Sequence, residues 1–136
     1  QTLIARFDPA AMARVEIHDI EPLKTLVGER AAILGDAAHG MAPDLGQGGC
    51  QAMEDAWVLA RALDDAEDDI TAALKTYDQA RVQRVGDIIT RARQRADTTH
   101  GAHPATTRAW YAELAEEDGS RIMAGMRRTI LGGPLG

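Results

Sequence analysis

The chain has little to stack with and nothing to cross-link. Only 4% of its 136 residues are aromatic, too few for the stacking platform that single-stranded nucleic acid requires. Its single cysteine, Cys50, excludes an intrachain disulfide and a cysteine-only metal site, and points to a reducing cytoplasm. A positive charge balance is also lacking. The formal net charge of −6 at pH 7 argues against non-specific binding to nucleic acid or to an anionic membrane. No apolar run is long enough to span a bilayer, and no basic segment leads into an apolar one at the start. There is no initial methionine either, so Gln1 reads as a cut inside a longer polypeptide. No internal repeat or low-complexity linker occurs.

What is there has the make-up of a globular protein, 45% hydrophobic and 26% charged, at the size of one domain. Residues 3–7 look like a helix end closed by Asp8-Pro9. Val15 and Ile17 alternate with Glu16 and His18, so 13–19 reads as a strand. Glu21-Pro22 ends it, because proline cannot donate to a ladder. Gly28-Glu29 signals a turn, and Arg30-Ala31-Ala32-Ile33-Leu34 reads as a short buried strand before Gly35. Two strands alone do not make a stable sheet, which agrees with residues missing upstream.

The period then becomes helical. Ala52, Ala56, Leu59 and Leu63 share a face of a helix that starts at Gly48 or Gly49. The acidic run at 64–69 breaks it, since acids oppose the negative end of the helix dipole. Those acids suit the next helix, with Asp68 or Asp69 as cap. Ile70, Leu74, Tyr77, Val85, Ile88, Ile89, Ala92 and Ala96 carry that helix onward, until Gly101 and Pro104 stop it. Arg81, Arg84, Arg91, Arg93 and Arg95 read as its other face. Thr106 or Thr107 caps a third helix over 108–117, and Ser120 caps a fourth over 121–130. Residues 131–136 read as a tail.

The chain is organised around Ile33-Leu34-Gly35-Asp36-Ala37-Ala38-His39, continuing through Pro43 and Gly46-Gln47-Gly48-Gly49-Cys50 to Glu54-Asp55-Ala56. A strand end carries an acid, and a glycine loop opens a helix. The loop has no lysine and no hydroxyl placed for magnesium, so it is not a phosphate-binding P-loop, and it is not G-x-G-x-x-G because position 51 is Gln. His39 has no second histidine or cysteine at metal spacing, so no metal site is expected. A carboxylate accepts hydrogen bonds from hydroxyls. A bare helix N-terminus favours negative charge. A ligand joining a polyol to an anionic ring, such as reduced flavin, meets both demands.

The run Arg30–His39, with Pro43, Gly46-Gln47-Gly48-Gly49, Glu54-Asp55-Ala56 and the downstream Tyr77–Val85, resembles the second flavin signature of the FAD-dependent aromatic hydroxylases. A closer resemblance is to the bacterial urate-hydroxylating branch of that family. It rests on residues 14–22, the stretch Gly46–Cys50, Asp97-Thr98-Thr99-His100-Gly101 and residues 129–136. Between His39 and Pro43 stands Gly40-Met41-Ala42, more apolar than the small polar residues the resemblance leads one to expect.

The resemblance implies an α/β fold, the C-terminal fragment of a Rossmann-like FAD-binding monooxygenase, here mostly α with about two short strands. Residues 1–27 would end the substrate-binding sheet domain. Residues 28–64 would close the FAD-binding domain, and 65–136 would be C-terminal helices. Asp36 would bind the ribitol hydroxyls. Gly46, Gln47, Gly48, Gly49 and Cys50 would line the flavin ring, and Pro43 would sit beside its reactive face. No residue in the chain is assigned as catalytic. FAD would be the cofactor, NADH or NADPH the reductant, and O2 the co-substrate. An electron-rich ring would be hydroxylated, urate to 5-hydroxyisourate in the closer branch, with the missing N-terminal part completing the site. The alternatives are another aromatic hydroxylase with a salicylate-like substrate, or a helical module with no catalysis of its own.

Plainer readings stand beside these. Asp36 can cap a turn, His39 can be a structural residue bonded to backbone, and Cys50 can be a small buried side chain. Glu54 and Asp55 can simply complement the positive helix end. The arginines of 81–95 can form a solvated face, and Trp57, Trp110 and Tyr111 can be core or interface residues.

Overall fold

The computed structural model describes residue 6 and residues 8–134. Five α-helices occur among them: α1 (Asp36–His39), α2 (Gly48–Asp65), α3 (Ile70–Thr99), α4 (Pro104–Glu116) and α5 (Ser120–Leu131). Short 3-10 turns form at Pro9–Ala11 and Pro43–Leu45. The helix end expected at 3–7 and the final residues of the tail lie largely outside the described part. None of the described helices is long and apolar enough to cross a membrane.

The two expected strands are not formed. Among the described residues the only β pairing is a single antiparallel bridge, Val27 to Ala32. It closes the turn at Gly28-Glu29, with Gly28 N–H donating to Ala31 O at 2.8 Å and Ile33 N–H to Leu26 O at 2.9 Å. Segment 13–19 has no regular structure, and Val15 and Ile17 are exposed. Alternation makes a segment suited to a sheet, but a strand exists only when a neighbour completes its ladder. No described segment does so.

Helix α2 begins at Gly48, the first of the two expected starts. It runs through Asp64 and Asp65, so part of the acidic run lies in its last turn. An Arg61–Asp65 pair one turn apart offsets this slightly. Glu67 takes the left-handed backbone (φ 51°) where the chain reverses. Asp69 then caps α3, its carboxylate accepting from Ala72 N–H at 3.0 Å. Two helix starts differ from expectation. Pro104 opens α4 instead of stopping α3, because the N–H that proline lacks has no helical partner at that position anyway. Ser120 is the first residue of α5, with Gly119 as its cap in left-handed backbone (φ 89°). Asp118 accepts from Ser120 N–H at 2.9 Å.

Helix α3 is the beam against which the rest is set. Tyr77 and Val85 enter the core with Leu26, Ala38 and Val58. The Tyr77 hydroxyl donates to Ile33 O at 2.9 Å, and Asp78 accepts from Leu26 N–H at 2.6 Å. Arg93 pairs with Asp19 at 2.8 Å and Glu21 at 2.9 Å.

Between α2 and α3 lies a buried polar network. Arg81 is fully buried. It donates to Asp55 Oδ1 at 2.8 Å, Glu54 Oε2 at 2.6 Å and Gln51 Oε1 at 2.8 Å. Arg84 grips both oxygens of Glu54 at 2.7 Å and reaches Thr129 O in α5 at 3.0 Å. Neither a solvated arginine face nor a simple dipole complement describes these residues. A charge without solvent must have its donors answered internally.

Replacing Arg81 with Ala removes the buried cation shared by Asp55 and Glu54, and strips Asp55 Oδ1 of its donor. It is expected to cost about 3–5 kcal/mol, read as a lowered thermal midpoint. Burial pushes the Glu54 carboxyl up, but hydrogen bonds from Arg84 and Arg81 outweigh it and hold it below its ordinary 4.5. Burial likewise raises Asp55, and His39, the Gly35 N–H and Arg81 together bring it below 3.8. Folded values below unfolded ones mean this stability is complete above the ordinary values and is lost as pH falls through the depressed ones. The thermal midpoint should therefore drop on acidification below pH 4.5, and Glu54→Gln should flatten that dependence.

Candidate functional site

Gly35 makes the turn into the site. Its backbone is left-handed (φ 57°), a conformation that costs glycine no Cβ clash. The Gly35 carbonyl accepts from Ala38 and His39 N–H, both at 2.9 Å, closing the single turn of α1. Asp36 is the first residue of that turn. Its side chain is exposed and accepts no hydrogen bond from any described residue.

The other wall is the start of α2. Gln47 precedes it with no side-chain cap, and the first helical bond runs from Gln51 N–H to Gln47 O at 2.8 Å. The N–H groups of Gly48, Gly49 and Cys50 come before that bond, where a helix has no internal acceptors for them. A Cβ built on Gly48 would stand 4.0 Å from Asp36 Oδ1, while one on Gly49 would meet nothing within 4 Å. The expected carboxylate and glycine loop are thus brought together, with bare backbone and open space beside them. Gly46 closes the 3-10 turn in left-handed backbone (φ 62°), its N–H donating to Pro43 O at 2.8 Å.

Pro43 is exposed on that turn. The turn is pinned from α3: Asp44 Oδ1 accepts from Thr99 Oγ1 at 3.1 Å and pairs with His100 Nε2 at 2.8 Å. The segment Asp97–Gly101, which the sequence singled out with no role, therefore ends by holding the loop. Cys50 is exposed, so the reading of a buried side chain does not hold.

His39 is fully buried, but its partner is a side chain and not backbone. Its Nε2 lies 2.6 Å from Asp55 Oδ2, which also accepts from Gly35 N–H at 2.9 Å. Its Nδ1 has no hydrogen-bond partner among the described residues. Asp55 and Arg81 are the residues that sequence reasoning missed. The signal was there: Tyr77, Arg81 and Val85 stand four apart, which puts the arginine inside the apolar stripe. No group of three or more metal-binding side chains comes together among the described residues.

This geometry suits a ligand that gives hydroxyls to Asp36 and places negative charge before α2. A family model described as an FAD binding domain matches residues 11–92. The chain belongs to the FAD-binding domain family. It is 53% identical to the FAD-dependent urate hydroxylase of Mycolicibacterium vanbaalenii, over 99% of this chain and 34% of that protein. Among solved structures it superposes on Klebsiella pneumoniae HpxO complexed with FAD and uric acid with a TM-score of 0.91. That match has 54% identity and covers 100% of this chain and 35% of the other. A salicylate hydroxylase substrate complex matches with a TM-score of 0.58 and 35% identity, over 68% of this chain and 24% of that one. The chain thus spans about a third of the length of the urate hydroxylases it matches. The fold of these FAD-binding hydroxylases is shared, in a part that is helical throughout its described regular elements.

The residues present fit FAD: an exposed carboxylate without a protein donor faces bare N–H groups across side-chain-free backbone. Replacing Asp36 with Ala should weaken FAD binding to the full-length protein by about 1–3 kcal/mol, measured by flavin fluorescence titration. Unchanged affinity would remove Asp36 from the site.

Proposed function

We propose that this chain is the flavin-holding C-terminal part of an FAD-dependent monooxygenase that converts urate to 5-hydroxyisourate, using NADH or NADPH and O2 in the cytoplasm. One observation carries the reading: the Asp36 carboxylate stands against Gly48 at the uncapped start of α2. A helical module without a ligand has no use for that pair. The identity to urate hydroxylases, 53% and 54% over essentially the whole chain, ranks urate above a salicylate-like ring.

FAD, when bound, supplies the oxygen activation that no side chain can. The chain's own residues bind and orient it. Asp36 accepts hydrogen bonds from the ribityl hydroxyls. Residues Gly46, Gln47, Gly48, Gly49 and Cys50 line the ring, and the N–H groups at the start of α2 stabilise negative charge there without rearranging, a preorganised electrostatic contribution. Pro43 borders the face where the substrate ring lies, on a turn fixed through Asp44. Residues 1–27 end the substrate-binding sheet domain, 28–64 complete the flavin domain, and 65–136 are C-terminal helices. The adenosine end of the cofactor and the group that activates the substrate belong to the remaining two-thirds of the polypeptide.

The full-length protein should purify yellow, and urate should strongly accelerate its oxidation of NADH or NADPH. Acceleration by salicylate but not by urate would transfer the assignment to the second substrate class. A colourless protein that takes up no added FAD would end the flavin reading.

A further inference from the structure

We infer that Asp55 is a positioning residue for the flavin site, setting the place of Asp36 through the turn on either side of it, and that Arg81 holds Asp55 to this task. The inference rests on the flavin reading above and assigns a residue which that reading leaves out.

The geometry is specific. One oxygen of Asp55, Oδ2, accepts from Gly35 N–H at 2.9 Å and meets His39 Nε2 at 2.6 Å. These atoms belong to the residue just before Asp36 and to the residue three after it. The turn that carries Asp36 is thereby pinned at both ends to one carboxylate. Asp36 itself has no side-chain hydrogen bond to any described residue, so its place depends on that backbone. Asp55 lies on α2, the same helix whose N-terminus forms the other wall. A single side chain therefore fixes the gap between the acceptor and the bare N–H groups. Oδ1 is occupied by Arg81 Nε at 2.8 Å, which locks the carboxylate plane. Asp55, Arg81 and His39 have no exposed surface, so solvent does not compete for these bonds.

An amide at position 55 keeps the shape but has only one acceptor oxygen. It cannot serve Arg81 on one side and the Gly35–His39 pair on the other. A purely structural role predicts a loss of stability with independent effects on FAD. A positioning role predicts that the effect on FAD runs through Asp36.

A double-mutant cycle in the full-length protein separates the two. The dissociation constant for FAD is measured by fluorescence titration in wild type, Asp55→Asn, Asp36→Ala and the double variant, with the thermal midpoint of each apoprotein recorded. Asp55→Asn should raise the constant about 10-fold, but less than about 3-fold when Asp36 is already Ala. Losses that multiply in the double variant would overturn the proposal while leaving the flavin reading intact. Failure of the wild type to bind FAD would instead strike the flavin reading. If Asp55→Asn does not fold, Arg81→Lys serves in the same cycle. Lysine keeps the charge but lacks the planar fork. Dependence on Asp36 supports the proposal, and independence overturns it.

Discussion

A guanidinium with no exposed surface imposes its needs on everything near it. Arg81 brings a full charge and a rigid fork of donors into the seam between α2 and α3. Left unanswered, that charge would cost more than the packing around it returns. Its acceptors are Gln51, Glu54 and Asp55, all on one face of α2, so it dictates the rotation of α2 as well as its distance from α3. Asp55 in turn extends the constraint to Gly35 and His39, and Glu54 extends it through Arg84 to α5. Apolar contacts alone slide at little cost. Directional bonds to a buried charge do not.

This explains why the proposed cofactor residues do so little for one another. Asp36 and the glycines make few contacts of their own. Their arrangement comes from buried side chains behind them. The exposed surface can then stay open and bare, with its hydrogen-bonding capacity unspent. Support of this kind is what a site needs when its binding groups are backbone N–H and a single carboxylate.

The parts that local chemistry decides were legible in the sequence. A glycine loop ahead of a helical period marks the start of α2 wherever it stands, and the acidic run narrowed the α3 cap to Asp68 or Asp69, of which Asp69 serves. The pairing of Asp36 with the loop was legible too, through the family pattern. What depended on distant partners was not. Residues 13–19 alternate like a strand, yet no described neighbour completes a ladder with them. Arg81 was read as solvated because arginine usually is, although its four-residue spacing from Tyr77 and Val85 placed it in the apolar stripe. Pro104 misled for a subtler reason: proline stops a helix from within but opens one at no cost.

Helix α3 meets the link at 25–33 through Tyr77 and Asp78, α2 through Arg81 and Arg84, the segment at 19–21 through Arg93, and the Pro43–Leu45 turn through Thr99 and His100. These contacts are spread along one continuous helix and its C-cap, so the number of residues between them sets their relative angles. Inserting or removing one residue between Arg84 and Arg93 would turn everything beyond it by about 100°. The loop at Pro43 would lose its anchor although no residue touching it had changed. The length of α3 is therefore under a constraint that no single position reveals. The identities of its contact residues matter, and so does the count of residues between them.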